Sequence, residues 1–303
     1  MSDEKYIGLR EAADRLGVHY MTVYRYVRIG QLPAKRDGAT WRVAVQDLDR
    51  LREPFPRPPR TRNSRQHRPA WLVDRLVAGD EQGAWQIIEE ALASGTPTKE
   101  IYTDVLVPAL RAIGSQWEDG RLSIAAEHQA SAIATRLVGR LGPMFARRGL
   151  SRGTIIIGAP EGDLHALPSA IVADLLRGRG FDVLDLGANT PVTAFVECAR
   201  SANRLITVLV GATSRDSVAR LTEIAVSLRL EGIGAPILFG GHAIPAESDA
   251  LALGADGWTG IDAESVLTAV EDLVLSPSVR SFNDERVTAS KFDEPSKGAA
   301  GGI

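Results

Sequence analysis

Two clusters of residues in this 303-residue sequence have the types and spacing to do chemistry. In PEGDLHALPSA, Asp163 stands two residues before His165. A carboxylate that accepts the far ring N–H of an imidazole raises the basicity of the nitrogen left over, which suits a metal-ligating histidine. No second His or Cys completes a zinc set around it. A metal bound there must bring its other ligands, as a corrinoid does with four equatorial ring nitrogens. Helix-capping roles account equally well for Asp163 and for Pro168. In the second cluster, Trp117 closes one helical stretch, and Glu127 and His128 lie one turn into the next, across a tight loop. Adjacent helical residues diverge by about 100°, so the Glu and His do not share one direction. A large flat ring beside a carboxylate and an imidazole suits a part-apolar ligand bearing hydroxyls. A core Trp next to a surface Glu-His pair is the plainer alternative.

A third set is basic and aromatic. Residues 1–68 hold 15 Lys/Arg against 8 Asp/Glu, a charge of +7, so the remainder carries −10 of the net −3. That asymmetry points to a nucleic-acid arm on an acidic body, or else to a solvated basic surface. Within the arm, Leu9, Ala12, Ala13 and Leu16 share one helical face, Gly17 allows a turn, and Val18, Val23 and Val27 anchor a second helix. Such a pair predicts a helix-turn-helix whose second helix enters the major groove. It presents Tyr20, Thr22, Tyr24, Arg25, Tyr26 and Arg28. LPAKRDGATWRV then predicts a hairpin turning at Asp37-Gly38, a wing carrying Lys35, Arg36 and Arg42 to phosphates, with the helix AVQDLDRL after it.

The elements that position these clusters are legible from period and punctuation. The expectation is a winged helix-turn-helix over 1–53 and a Pro/Arg-rich linker over 54–68. Over 69–150 apolar residues recur at three-and-four spacing, which predicts a four-helix bundle. Asp80, Thr98 and Ser123 suit N-caps, and Gly95 and Gly120 suit helix ends. Over 151–275 short apolar runs (TIIIGA, FDVLDLGA, LITVLVGA, APILFGG) alternate with helical stretches, and DGWTG adds a fifth strand. This predicts an α/β doubly wound, flavodoxin- or Rossmann-like parallel sheet. The loop holding Asp163 and His165 follows the first strand, where such sheets bind ligands. Residues 276–303 lose their period and read as a disordered tail. A lone cysteine, Cys198, excludes an internal disulfide. With no signal-peptide core and no apolar run of about 18 residues, the expectation is a cytoplasmic chain without a membrane span.

LREAADRLGVHYMTVYRYVRIGQLP with the Trp41-Arg42 and Asp47-Leu48 pairs resembles the winged helix of the MerR/excisionase class. The whole order, winged helix, bundle with Trp117-x9-Glu127-His128, then a doubly wound domain with Asp163-x-His165, resembles the CarH/LitR-type cobalamin-dependent regulators of that class. The resemblance implies a chain that binds double-stranded operator DNA through Thr22, Arg25 and Tyr26 and the wing basics, is not an enzyme, and acts as a repressor. It implies cobalamin, most of all adenosylcobalamin, between bundle and sheet domain. His165 becomes the lower axial ligand of cobalt, and Trp117, Glu127 and His128 meet the adenosyl group on the upper face. The nucleotide tail runs near Thr213, Ser214, Gly240 and Gly241, where a missing side chain admits it to the backbone. It further implies a homo-oligomer, dimers paired into a tetramer, which light dissociates, weakening multivalent operator binding. Three departures stand out: Pro168 occupies the position of a usual Gly, Glu118 that of a usual His, a poor exchange at cobalt, and the Ser usual at the end of the third strand is not cleanly aligned in VGATSRDS. They leave open a regulator on the same scaffold that senses another tetrapyrrole or has lost cobalamin; a corrinoid methyl-transfer module is the further alternative.

Overall fold

The computed structural model describes residues 6–16, 20, 23–24, 27, 32–37, 40–52 and 63–275. These fall into two compact units that divide after His67. In the first, β1 (Tyr6–Gly8) leads directly into α1 (Leu9–Leu16), and β2 (Ala34–Asp37) pairs antiparallel with β3 (Thr40–Ala44). Asp37 faces Thr40, so the two strands are joined by the two residues 38–39. Strand β1 adds to the other edge of β3, a pairing that its three residues are too short to announce in sequence. Helix α2 (Val45–Arg52) follows. Ile7, Leu9, Ala12, Ala13, Val23, Leu32, Val43 and Leu48 form the small core, with Val27 packed against it.

The second unit opens with α3 (Asn63–Val77), α4 (Glu81–Ala93), a long α5 and α6 (Ile124–Leu141). Helix α5 runs without a break through Thr98–Ile101, a π turn at Tyr102–Leu106, and Val107–Glu118. The caps follow local chemistry. Asp80 accepts from the Gly83 N–H at 2.8 Å and Ser123 from the Ala126 N–H at 3.2 Å. Gly95 and Gly120 end their helices at φ +79° and +70°, where a side chain would be strained. Thr98 departs from expectation: the cap position belongs to Pro97, and the Thr98 hydroxyl turns to the Met144 sulfur. The expected linker over 54–68 is also corrected at its C-terminal end, because α3 begins at Asn63 and carries Pro69 inside it. A proline removes one helical N–H and discourages a helical reading of the residues before it. Here Arg68 secures that turn, donating to Ser94 Oγ and Thr96 Oγ1.

After a short 3₁₀ turn at Gly142–Phe145 the period changes to strands: β4 (Thr154–Gly158), β5 (Asp182–Asp185), β6 (Leu205–Gly211), β7 (Ile237–Gly240) and β8 (Gly257–Trp258). They form one parallel sheet in the order β5-β4-β6-β7-β8. Helices α7 (Ala166–Gly178), α8 (Val192–Ser201), α9 (Val218–Leu230), α10 (Glu247–Ala252) and α11 (Ala263–Leu275) connect and follow them. The six residues of α10 are too few to show a period. Successive β4 side chains point to opposite faces. Ile155 and Ile157 join α7, α11 and the bundle helices in one core, while Ile156 joins α8 and α9 in another. Bundle and sheet therefore share a continuous apolar interior. No described helix is long and apolar enough to cross a membrane. The expected tail, 276–303, lies outside the described residues.

Candidate functional site

Strand β4 is flanked by β5 and β6, so the chain leaves it in one direction and returns on the other side. The loops after β4 and β6 lie at this switch point, outside the carboxyl ends of the strands. The first carries Asp163 and His165, the second Thr213 and Ser214. Asp163 is fully buried, with 0% exposure. Its Oδ1 accepts from His165 Nδ1 at 2.7 Å and from the His165 backbone N–H at 3.1 Å. Its Oδ2 accepts from the backbone N–H groups of Thr213 at 2.5 Å and Ser214 at 3.1 Å. Burial alone raises a carboxyl pKa, but the hydrogen bonds from His165, Thr213 and Ser214 outweigh it and hold Asp163 below the usual range. Asp163 is thus an ionised, acceptor-only group. It follows that Nδ1 carries the ring proton, and neutral His165 keeps its lone pair on Nε2.

His165 is the N-cap residue of α7, yet its side chain makes no capping bond; half of that side chain (53%) is exposed. The hydrogen bond to Asp163 raises its pKa above the ordinary imidazole value against the opposing effect of burial, helped by the charges of Asp163 and Glu127. The Glu127 contribution puts a bundle carboxylate within electrostatic reach of this imidazole. The cap reading of Asp163 is not realised, since α7 begins three residues later. Pro168 sits in the first turn of α7, where a missing N–H is harmless.

Trp117 lies in the last turn of α5 and is 45% exposed. Glu127 and His128 occupy the first turns of α6, so all three share one end of the bundle. The diverging pair nevertheless meets: His128 Nδ1 lies 2.8 Å from Glu127 Oε2, while Glu127 Oε1 accepts from the Ser131 hydroxyl at 2.6 Å. Ser131, one turn beyond Glu127, was missed in sequence; the i, i+4 spacing is its signal. Glu118 is exposed beside Trp117.

Thr213 and Ser214 are at the site, but their N–H groups are committed to Asp163. Gly240 ends β7 and Gly241 follows it, and their missing side chains are required by the protein itself. A Cβ on Gly240 meets Thr259 Oγ1 and the Gly260 carbonyl, and one on Gly241, at φ +97°, meets the Ala212 backbone. Asn189 also escaped sequence reasoning. Its N–H donates to the Asp163 carbonyl at 2.7 Å, and its Oδ1 accepts from the Gly162 N–H at 2.8 Å. Its φ of +53° is a conformation that asparagine tolerates better than most residues.

In the N-terminal unit, Lys35 and Arg42 are cross-strand partners and share one face of the hairpin. Arg36 pairs with Trp41 on the opposite face and lies over its ring, so the three wing basics are not coplanar. Arg42 pairs with Asp37 at 2.8 Å, and the Lys35 ammonium lies over Tyr6. Tyr20 is partly exposed and stacks on Tyr24. Thr22, Arg25, Tyr26 and Arg28 lie outside the described residues.

Among the described residues, no group of three or more His, Cys, Asp and Glu side chains could hold a metal ion. His165 offers a single nitrogen, the donor set a corrinoid-held cobalt requires from a protein. The residues fit that group.

Comparison with known proteins agrees. A family described as a B12 binding domain matches residues 71–141, a second B12 binding domain matches residues 153–271, and a helix-turn-helix domain matches residues 6–54. Trimethylamine corrinoid protein 1 of Methanosarcina acetivorans is 33% identical over 130 residues, 42% of this chain and 60% of that protein. Methionine synthase of Mycobacterium leprae is 23% identical over 181 residues, 57% of this chain and 15% of that enzyme. The chain thus spans about 60% of the length of the corrinoid relatives. The monomethylamine corrinoid protein of Methanosarcina barkeri shares the fold, with a TM-score of 0.59 at 23% identity over 66% of this chain and 95% of that one. The chain carries two B12 binding domains behind a helix-turn-helix domain, and its cofactor is cobalamin with the cobalt of the corrin.

Proposed function

We propose that the protein is a light-responsive transcription regulator, a repressor acting in the cytoplasm, whose binding to operator DNA depends on bound adenosylcobalamin. The observation that carries this reading is the union on one chain of a helix-turn-helix domain with an Asp163–His165 pair at the switch point of a B12-binding sheet. When bound, adenosylcobalamin supplies a cobalt–carbon bond that visible light breaks. The chain's own residues do the rest. His165 would hold the cobalt through Nε2, and Asp163 keeps the proton on Nδ1 so that this lone pair is available. Trp117, at the same end of the bundle as Glu127 and His128, would exclude water from the cofactor and sense its bulk, and Glu127 and His128 would offer a carboxylate and an imidazole to its hydroxyls. A change in what stands against Trp117 biases the bundle and, through it, the assembly of copies into an oligomer. Several winged helices on one assembly bind an operator more tightly than one does, so dissociation releases DNA. The chain acts as a sensor rather than an enzyme.

The test selects bound sequences from a random DNA pool with purified protein and adenosylcobalamin in the dark, then measures affinity and oligomer size before and after green light. Light-induced loss of both supports the reading, and His165→Ala abolishes the ligand dependence. Absence of any selected sequence, or light-insensitive binding and size, refutes it. A second reading has its own support: the corrinoid relatives suggest a module that carries methyl groups between partners. Transfer of a methyl group from methylcobalamin-loaded protein to a thiol acceptor, with no DNA selected, favours that reading instead.

A further inference from the structure

Where α5 crosses the sheet unit, its π turn places the Tyr102 hydroxyl in the interior, 2.8 Å from Asp174 Oδ2 on α7 and 3.4 Å from the Val138 carbonyl on α6. Tyr102 has 0% exposure and Asp174 is buried beside it. Asp174 Oδ1 accepts from Arg177 at 2.8 Å, and Arg177 reaches on to the Val183 carbonyl in β5. Burial, then the hydrogen bond to Asp174, pushes the Tyr102 phenol well above its ordinary pKa, so it stays a donor. Gly142 leaves room for this carboxylate: a Cβ there comes within 3.1 Å of Asp174 Oδ2. π turns are rare and gather at functional sites.

The tie lies away from the cobalamin end. Asp174 is nine residues along α7 from His165, and Tyr102 is fifteen residues along α5 from Trp117. At 1.5 Å per residue these are arms of about 13 and about 22 Å. A rotation of about 5° about the tie therefore moves Trp117 by about 2 Å relative to His165. Beside the tie is an open cleft of about 440 Å³ between Gly139, Gly142 and Pro143 on one side and Ala170, Arg177 and Asp185 on the other. It is room into which the end of α6 can swing.

We infer that the Tyr102–Asp174 bond is the pivot that sets the width of the slot between Trp117 and His165, and so decides which upper ligands of cobalamin the protein accepts. Tyr102 is a positioning residue in this scheme. The inference rests on cobalamin lying between His165 and the Trp117 end of the bundle.

The experiment compares full-length wild type, Tyr102→Phe, Asp174→Asn and His165→Ala for dark binding of adenosylcobalamin, with its bulky upper ligand, and of hydroxocobalamin, with a small one. Tyr102→Phe keeps the ring and removes only the bond. It weakens adenosylcobalamin by on the order of tenfold to a hundredfold, the scale of one hydrogen bond to a charged group, and leaves hydroxocobalamin within about twofold. Asp174→Asn retains a tie, its amide donating to the Tyr102 oxygen while Tyr102 donates to Val138, and keeps the wild-type ratio. Equal weakening of both forms by Tyr102→Phe, no weakening, or the same altered ratio in Asp174→Asn overturns the pivot. If His165→Ala binds both forms as wild type does, the placement of cobalamin is wrong and the pivot falls with it. If His165→Ala loses both while Tyr102→Phe shifts them equally, the placement stands and the pivot alone is refuted.

Discussion

Asp163→Asn changes one oxygen for an NH₂ group with no change of size, at a carboxylate that accepts four N–H groups. The donors are split two and two: His165 supplies both on Oδ1, Thr213 and Ser214 both on Oδ2. Turned toward Thr213 and Ser214, its NH₂ faces two backbone donors; turned toward His165, it orphans the backbone N–H, and the neutral ring must shift its proton to Nε2 for Nδ1 to accept. One or two orphaned donors, at about 1–3 kcal/mol each, destabilise the cobalamin-free protein by about 1–6 kcal/mol. That is a large part of the about 5–15 kcal/mol that holds an ordinary domain together. Turned with its oxygen toward His165, the amide spares the imidazole but frees the end of β6; turned the other way, it frees the imidazole. In both cases His165 Nε2 loses the negative charge behind the ring, and, with His165 holding the cobalt as proposed, cobalamin binding weakens by about 10- to 100-fold. Urea unfolding of the cobalamin-free protein, followed by circular dichroism, measures the first effect and absorbance titration with cobalamin the second. A loss of stability below about 1 kcal/mol shows that the four bonds do not hold the loop as argued.

Gly241→Ala forces a side chain onto the Ala212 backbone in a left-handed conformation, and costs about 2 kcal/mol or more by the same unfolding measurement; an unchanged midpoint rules out the packing role. The Asp163–His165 pair gives the cobalamin-free protein a bounded pH profile. His165, raised, stabilises fully below about pH 6.5 and loses this as pH rises through its folded value, whereas Asp163, lowered, stabilises above about pH 4 and loses this as pH falls through its own. Stability against pH therefore has two limbs that Asp163→Asn flattens, and a mutant profile parallel to wild type contradicts the assignment. On DNA, Lys35→Ala lowers the slope of log affinity against log salt by about 0.9, as one phosphate contact predicts. Arg42→Ala lowers it as well, and an unchanged slope in either variant argues against that residue's contact with phosphate.

Local chemistry was the readable part of this chain. Asp80 and Ser123 cap helices because a short acceptor before an apolar period has few other uses, and the strands of the sheet declare themselves as apolar runs. Asp163 and His165 were legible for the same reason, being two residues apart. Their partners were not: Thr213 and Ser214 read as contacts for a ligand tail, but their backbone amides are turned inward onto Asp163. A backbone amide has no letter in the sequence. The first turn of α3 was hidden by Pro69, and the Tyr102–Asp174 bond spans 72 residues with no periodic signal at either end. At Gly240 and Gly241 the absence of a side chain is legible, but not the Thr259, Gly260 and Ala212 atoms that require it.

The bonds onto Asp163 also impose an order of assembly. The donors on Oδ2 arrive 50 and 51 residues after the carboxylate in the chain, on a loop that exists only once β6 has added to β4. A contact of that span forms only after the intervening strand and helices are in place, since the loop must close before the bonds reward it. The bonds from His165 to Oδ1 are local, whereas those that anchor the other oxygen of Asp163 come from the loop after β6. The full set of bonds that holds Asp163 behind His165 is therefore a property of the completed sheet and not of the loop alone.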